Sequence, residues 1–96
     1  MLKMHKQDIP YIGIFKTAAG EEFIGKVLEE TMMSYSVKNP LCMVATQNGF
    51  QFAPFIMMAD PEQAISVPKP IITAIPAPKF QEQYEQAISP IQLLKK

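Results

Sequence analysis

The stretch "SYSVKN", residues 34–39, places an aromatic ring, a cation and a carboxamide close together as Tyr35, Lys38 and Asn39. These are the groups that hold single-stranded nucleic acid: an aromatic face stacks a base, an ammonium meets a phosphate and a carboxamide reads a base edge. The plain alternative is an ordinary strand whose lysine runs its stem along apolar surface and keeps its charge in water.

Other reactive side chains offer less. His5 is the only histidine and has no catalytic partner visible in the sequence, so it reads as an exposed terminal side chain rather than half of a catalytic pair. Glu21-Glu22 and Glu29-Glu30 look like paired carboxylates. Neighbours on a strand point to opposite faces, so neither pair converges on one site, and solvated strand ends are the expectation. Cys42, the single cysteine, sits in "PLCMVA" and reads as a small buried hydrophobe; alone it forms no intrachain disulfide. One Cys, one His and scattered acids do not assemble a tetrahedral zinc site. No catalysis, metal or cofactor is expected.

Composition narrows the partners. Nine basic residues balance nine acidic ones, and all nine bases are Lys. Arg is the usual choice for bidentate phosphate and guanine contacts, so its absence argues against base-specific reading of nucleic acid and leaves backbone contacts open. Neutrality gives no pull toward anionic lipid. No unbroken apolar run is long enough to cross a membrane, and "MLKMHKQDIP" lacks the apolar centre of a signal peptide, so a soluble, cytoplasmic chain with no membrane partner is expected. Met32, Met33, Met57 and Met58 suit an adaptable peptide-binding surface, but core filling or a subunit interface is the stronger expectation for so small and apolar a chain.

The elements that must position these residues read as short strands. Ninety-six residues, 48% of them apolar, make one domain with one modest core. The run "YIGIFKTAAGEEFIGKVLEE" has the form of a hairpin, Tyr11 to Thr17 and Glu21 to Glu29, turning at Ala19-Gly20. In its second strand Phe23, Gly25 and Val27 share one face and Ile24, Lys26 and Leu28 the other, so both faces carry apolar groups. That predicts a strongly bent sheet or one covered by a helix or a neighbouring subunit. Gly20 suits a turn with positive φ, and Gly25, inside a strand, marks a sharp bend or the close approach of another backbone.

"SYSVKNPLCMVATQ" is the third strand, and Pro40 predicts an edge, bulge or break within it. Asn48-Gly49 is the strongest hairpin signal in the chain and leads into a fourth strand, Phe50 to Met58, interrupted at Pro54. Asp60-Pro61 opens a turn or caps one helical turn. A fifth strand runs from Val67 to Ile75. Then the period changes: Phe80, Tyr84, Ala87 and Ile88 line one side of an amphipathic helix that starts after "PAP" and stops at Ser89-Pro90.

Gly20, Gly25 and Val27 in "KTAAGEEFIGKVLEE" resemble the first half of the Sm motif, in which a turn glycine is followed five residues later by a glycine in a bent second strand. The Sm and Sm-like family includes the bacterial Hfq proteins. The five-strand order is similar over residues 11–76. "GxxxxGK", "VKNPL", "APF" and "FQEQYEQAI" further resemble a group of small Sm-like proteins from marine phage and metagenome sequences. The resemblance implies a single Sm-like domain over 1–96, all-β with a terminal helix: a small, five-stranded, strongly bent, SH3-like barrel at about 11–76 and a C-terminal helix at about 79–89. It also implies a homo-oligomeric ring of five to seven subunits, built by pairing strand four of one subunit with strand five of the next, in the cytoplasm of a bacterial cell during phage infection.

The departures from the family concern RNA. Members that bind uridine-rich RNA carry Asp and Asn in the turn between strands two and three and Arg-Gly between strands four and five. The corresponding stretches "EETMMSYS" and "DPEQAIS" hold neither Asn nor Arg-Gly, and four acids stand in them. Met33 lies near the turn where family pockets lie, so the RNA-binding candidates are Met33, Tyr35, Lys38 and Asn39, with Gly20, Gly25, Asn48 and Gly49 as turn and bend residues. Two functions are therefore expected in competition. One is a non-enzymatic Sm-like ring that binds single-stranded RNA; the other is a structural or adaptor ring that binds a protein partner.

Overall fold

The computed structural model describes residues 8–94; His5 lies outside the described residues. The strands are β1 (Tyr11–Lys16), β2 (Glu22–Glu30), β3 (Ser34–Thr46), β4 (Gly49–Pro54), β5 (Ile65–Pro68) and β6 (Ile72–Ala74), followed by α1 (Pro78–Leu94). The fold is mostly antiparallel sheet with one C-terminal helix. The sheet order is β4-β3-β2-β1-β6, and β5 pairs with the first part of β3.

Six strands stand where the pattern predicts five, because the expected strand Val67 to Ile75 divides. Pro68 and Pro70 have no N–H to give to a ladder, and between them the Lys69 N–H donates to the Met33 carbonyl at 2.9 Å. The segment is thus tied to the β2–β3 turn at the point where it changes partners, from β3 to β1. The fourth strand stops at Pro54 rather than Met58, with one further hydrogen bond in register just beyond it, from the Phe55 N–H to the Pro40 carbonyl at 2.8 Å. Asp60 forms a turn, its carboxylate accepting from the Glu62 N–H at 2.9 Å and its carbonyl from the Gln63 N–H at 3.0 Å.

Both faces of β2 are buried, as its two apolar stripes require. On one face Phe15, Phe23, Val27, Val37 and Val67 form a core, with Phe15 and Phe23 stacked at 5.2 Å between ring centroids. On the other face α1 lies across the sheet of its own chain and buries Tyr84 and Ile88 against Ile24, with Ile12, Ile14, Leu41 and Phe52 around them. Phe80 is half-buried at the start of this seam, but Ala87, expected on it, is exposed. The helix also runs past Ser89-Pro90 to Leu94. Pro90 leaves the Gln86 carbonyl without its helical donor, and Gln86 is exposed, so water can supply one.

Gly25 lies in a bulge. Ile24 pairs with Leu41 and Lys26 with Lys38, so Asn39 and Pro40 together oppose Gly25 alone. Asn39 takes a left-handed conformation, φ 53°, which asparagine tolerates better than most residues. A Cβ at Gly25 would collide with Cγ1 of Val37 and would stand 3.4 Å from the Lys38 carbonyl oxygen. Close approach, rather than an open bend, demands the glycine. The hairpin after β3 forms where Asn48-Gly49 predicts it, with Thr46 opposite Gly49 and the left-handed φ (109°) falling on Gly49.

Candidate functional site

The four residues with nucleic-acid chemistry are not brought to one place. Tyr35 and Val37 face the core around Phe15 and Phe23, while Lys38 pairs with Lys26 and Lys26 with Ile12, on the helix side of the sheet. Tyr35 and Lys38 therefore serve opposite faces of β3.

Tyr35 is half-buried and already engaged. Its ring meets Phe15 edge-on at 5.2 Å, and the Lys69 ammonium lies over it, 4.6 Å from the centroid. Lys69 in turn bonds Glu30 at 2.7 Å. A base stacking on that face of Tyr35 must displace a cation held by both a ring and a carboxylate. Tyr11 completes the group: burial, then the Glu30 charge, then Tyr35 push its phenol above the ordinary value, so it stays neutral. Of the acids read as solvated strand ends, Glu21, Glu22 and Glu29 are exposed, whereas Glu30 is this ion-pair partner.

Lys38 and Asn39 serve the helix through their backbone. The fully buried Tyr84 donates its hydroxyl toward the Asn39 carbonyl at 2.8 Å and the Lys38 carbonyl at 3.2 Å. The bulge that Gly25 and Pro40 create turns these carbonyls away from the ladder, and one tyrosine hydroxyl caps them. Burial pushes the Tyr84 phenol far above its ordinary value, opposed in part by a hydrogen bond from the Lys26 backbone. The Lys38 side chain faces Lys26 directly across the strands, and neither makes an ion pair among the described residues. The Asn39 carboxamide reaches the Pro61 carbonyl at 3.5 Å.

Met33 is exposed in the turn that Thr31 organises: the Thr31 hydroxyl accepts from the N–H groups of Met33 and Ser34, each at 3.1 Å. Met32 (91%), Met57 and Met58 (97%) are exposed as well, which excludes core filling for the methionine cluster. Cys42 is half-buried in β3 and free. Among the described residues no group of His, Cys, Asp or Glu could hold a metal ion, and no helix is long and apolar enough to cross a membrane.

The features that single-residue chemistry misses are the two ends of the sheet. Among the described residues β4 is paired only with β3, and β6 only with β1. Neither strand carries a charge, and each exposes a large apolar side chain, Phe50 at 74% and Ile72 at 67%. Beside β6 a cavity of about 760 Å³ reaches the core, lined chiefly by apolar side chains including Phe23, Phe55, Ile71 and Ile72, with Lys16 as its one charged residue. The apolar text of the fourth and fifth strands was a signal for the edges; the cavity depends on the division of the last strand and has no sequence signature.

No protein-family model matches the chain, and no curated protein matches it.

Proposed function

We propose that this chain is a non-enzymatic Sm-like protein that closes into a homo-oligomeric ring, β4 of each subunit pairing with β6 of the next. The observation that carries the reading is that β4 and β6, the two ends of the sheet path, are each paired on one side only among the described residues and carry no charge. An edge strand without charge, bulge or cover is a template for another strand, and a chain that keeps two of them has a use for both. Identical subunits joined by two different edges make a heterologous contact, which repeats around a closed axis. The Sm-like barrel is supported by the segment that pairs first with β3 and then with β1, joining the two sides of a bent sheet, and by Gly20 and Gly25 at the turn and the bulge.

The ring serves as a structural or adaptor assembly that binds protein in the cytoplasm. Tyr35 is covered by Lys69, Lys38 lies on the opposite face of β3 from Tyr35, and four exposed methionines offer an adaptable apolar surface. One observation favours RNA instead: Lys26 and Lys38 stand side by side, and neither makes an ion pair among the described residues. A native mass spectrum of protein purified without nuclease or high-salt washing decides between the two. A bare closed multiple is expected. Extra mass lost on ribonuclease treatment, with affinity that falls steeply with salt, would replace the adaptor reading with the RNA one, and a bare monomer at micromolar concentration would remove the ring.

A further inference from the structure

We infer that Phe50 of one copy seats in the cavity beside β6 of the next, so that the contact runs head to tail with Phe50 as its anchor. This rests on the ring reading above and names the contact that would build it.

The cavity opens along an unpaired strand. Ile72 is at once a β6 residue, two-thirds exposed, and part of the cavity wall. A strand that pairs with the free side of β6 therefore passes the cavity at its Ile72 end. The backbone groups on that side are open to water, and another strand can replace that water with N–H and C=O partners where a small apolar molecule cannot. Within this chain β4 is the other end of the sheet and is equally free of charge, so no like-charge or buried-ion cost opposes its docking.

The side chains of β4 select the anchor. Phe52 is already engaged, meeting the Tyr84 ring edge-on at 6.3 Å. Gln51 is polar and Ala53 small. Phe50 alone on this strand presents a large apolar group mostly to solvent, and a buried aromatic in an apolar pocket is the commonest form of interface anchor. Lys16 is the one charged residue on the wall, at the β1 end, and its flexible stem lets the ammonium remain in water as the ring docks. An isologous contact of β4 with β4 would leave both β6 and its cavity open, so the head-to-tail arrangement is the one that covers both edges.

The experiment uses the full chain, Phe50→Glu, Ile72→Lys and their equal mixture, measured by native mass spectrometry and light scattering. Both residues are exposed, so the variants should keep the wild-type circular dichroism and melting behaviour, which is checked first. Each variant alone is expected to be monomeric where the wild type is assembled. Each still keeps one sound edge. The mixture should then give a one-to-one heterodimer and nothing larger, because the sound β4 of Ile72→Lys meets the sound β6 of Phe50→Glu and the chain of contacts stops there. Phe50→Leu should retain assembly, whereas Phe50→Ala should weaken the contact at least about 30-fold. Assembly that survives either charged variant, homodimers of one variant alone, or a mixture that stays monomeric would overturn the inference. Occupancy of the cavity by a co-purified apolar small molecule in the assembled wild type would overturn it too. A wild type that is itself monomeric would overturn the ring reading and this inference with it, whereas an assembled wild type whose charged variants still assemble would overturn the inference alone.

Discussion

Gly25→Ala tests the packing logic at the centre of the sheet. In a strand, alanine normally outperforms glycine by about 0.5–1 kcal/mol because it has less conformational freedom to lose on folding. Here the added Cβ meets Cγ1 of Val37, and the backbone of the bulge closes the remaining space, with the Lys38 carbonyl oxygen at 3.4 Å and the Pro40 Cα at 3.6 Å. Val37 is fully buried among Phe15, Phe23, Val27 and Val67, and a β-branched side chain has little χ1 freedom with which to step aside. The bulge is pinned from the other side by Tyr84. Overpacking of this kind costs about 1–3 kcal/mol, so the net effect is a loss of about 1–2 kcal/mol and a melting temperature lowered by about 5–15 °C for a chain of this size. Calorimetry and urea unfolding at one fixed protein concentration measure it, since assembly makes melting concentration-dependent. The same substitution in a Val37→Ala background should cost nothing or stabilise, a coupling of about 1–3 kcal/mol. An unchanged or raised melting temperature in the wild-type background, or an equal loss in both backgrounds, would refute the close-approach account.

Tyr84→Phe should lower stability by about 1–3 kcal/mol, measured by urea unfolding, because it leaves the Lys38 and Asn39 carbonyls without their donor. Its pH dependence carries a sign. The folded-state pKa of Tyr84 is raised above the unfolded value near 10.0, so above that pH the unfolded chain loses a proton that the folded chain keeps, and stability falls as pH rises. Unfolding titrations between pH 9 and 11.5 should therefore show a shallower fall in Tyr84→Phe than in the wild type. Lys38→Glu puts an acid opposite Lys26 and should raise stability by about 0.2–1 kcal/mol at low salt, a gain that shrinks in 1 M salt; a loss would contradict the register of β2 on β3. Lys69→Met should cost about 1 kcal/mol by removing the cation from Tyr35 and Glu30, and thermal melts with and without Glu30→Gln would show the two effects to be coupled.

Alternation and turn chemistry are local, and they were legible. The hairpin from Tyr11 to Glu30, the turn before Gly49, a bulge or break at Pro40 and the helix through Phe80, Tyr84 and Ile88 all follow from residue period, glycine and proline. The two apolar stripes of β2 also announced that both its faces would be covered. What covers the second face was settled only by packing: the helix lies on its own sheet because Tyr84 finds the two carbonyls that the Gly25 bulge sets free, a match between residues 45 and 46 positions apart. The last strand could not be read as two from its prolines alone, since its division depends on the Lys69 N–H reaching Met33 across the molecule. Nor could the fate of Tyr35, whose aromatic chemistry is a property of its type but whose availability depends on Glu30 and Lys69 arriving from other elements. Residue types and spacing therefore specified the strands, the turns and the faces to be buried, because those depend on neighbours along the chain. Which groups meet, and which edges remain open, was decided by tertiary structure, because those depend on neighbours in space.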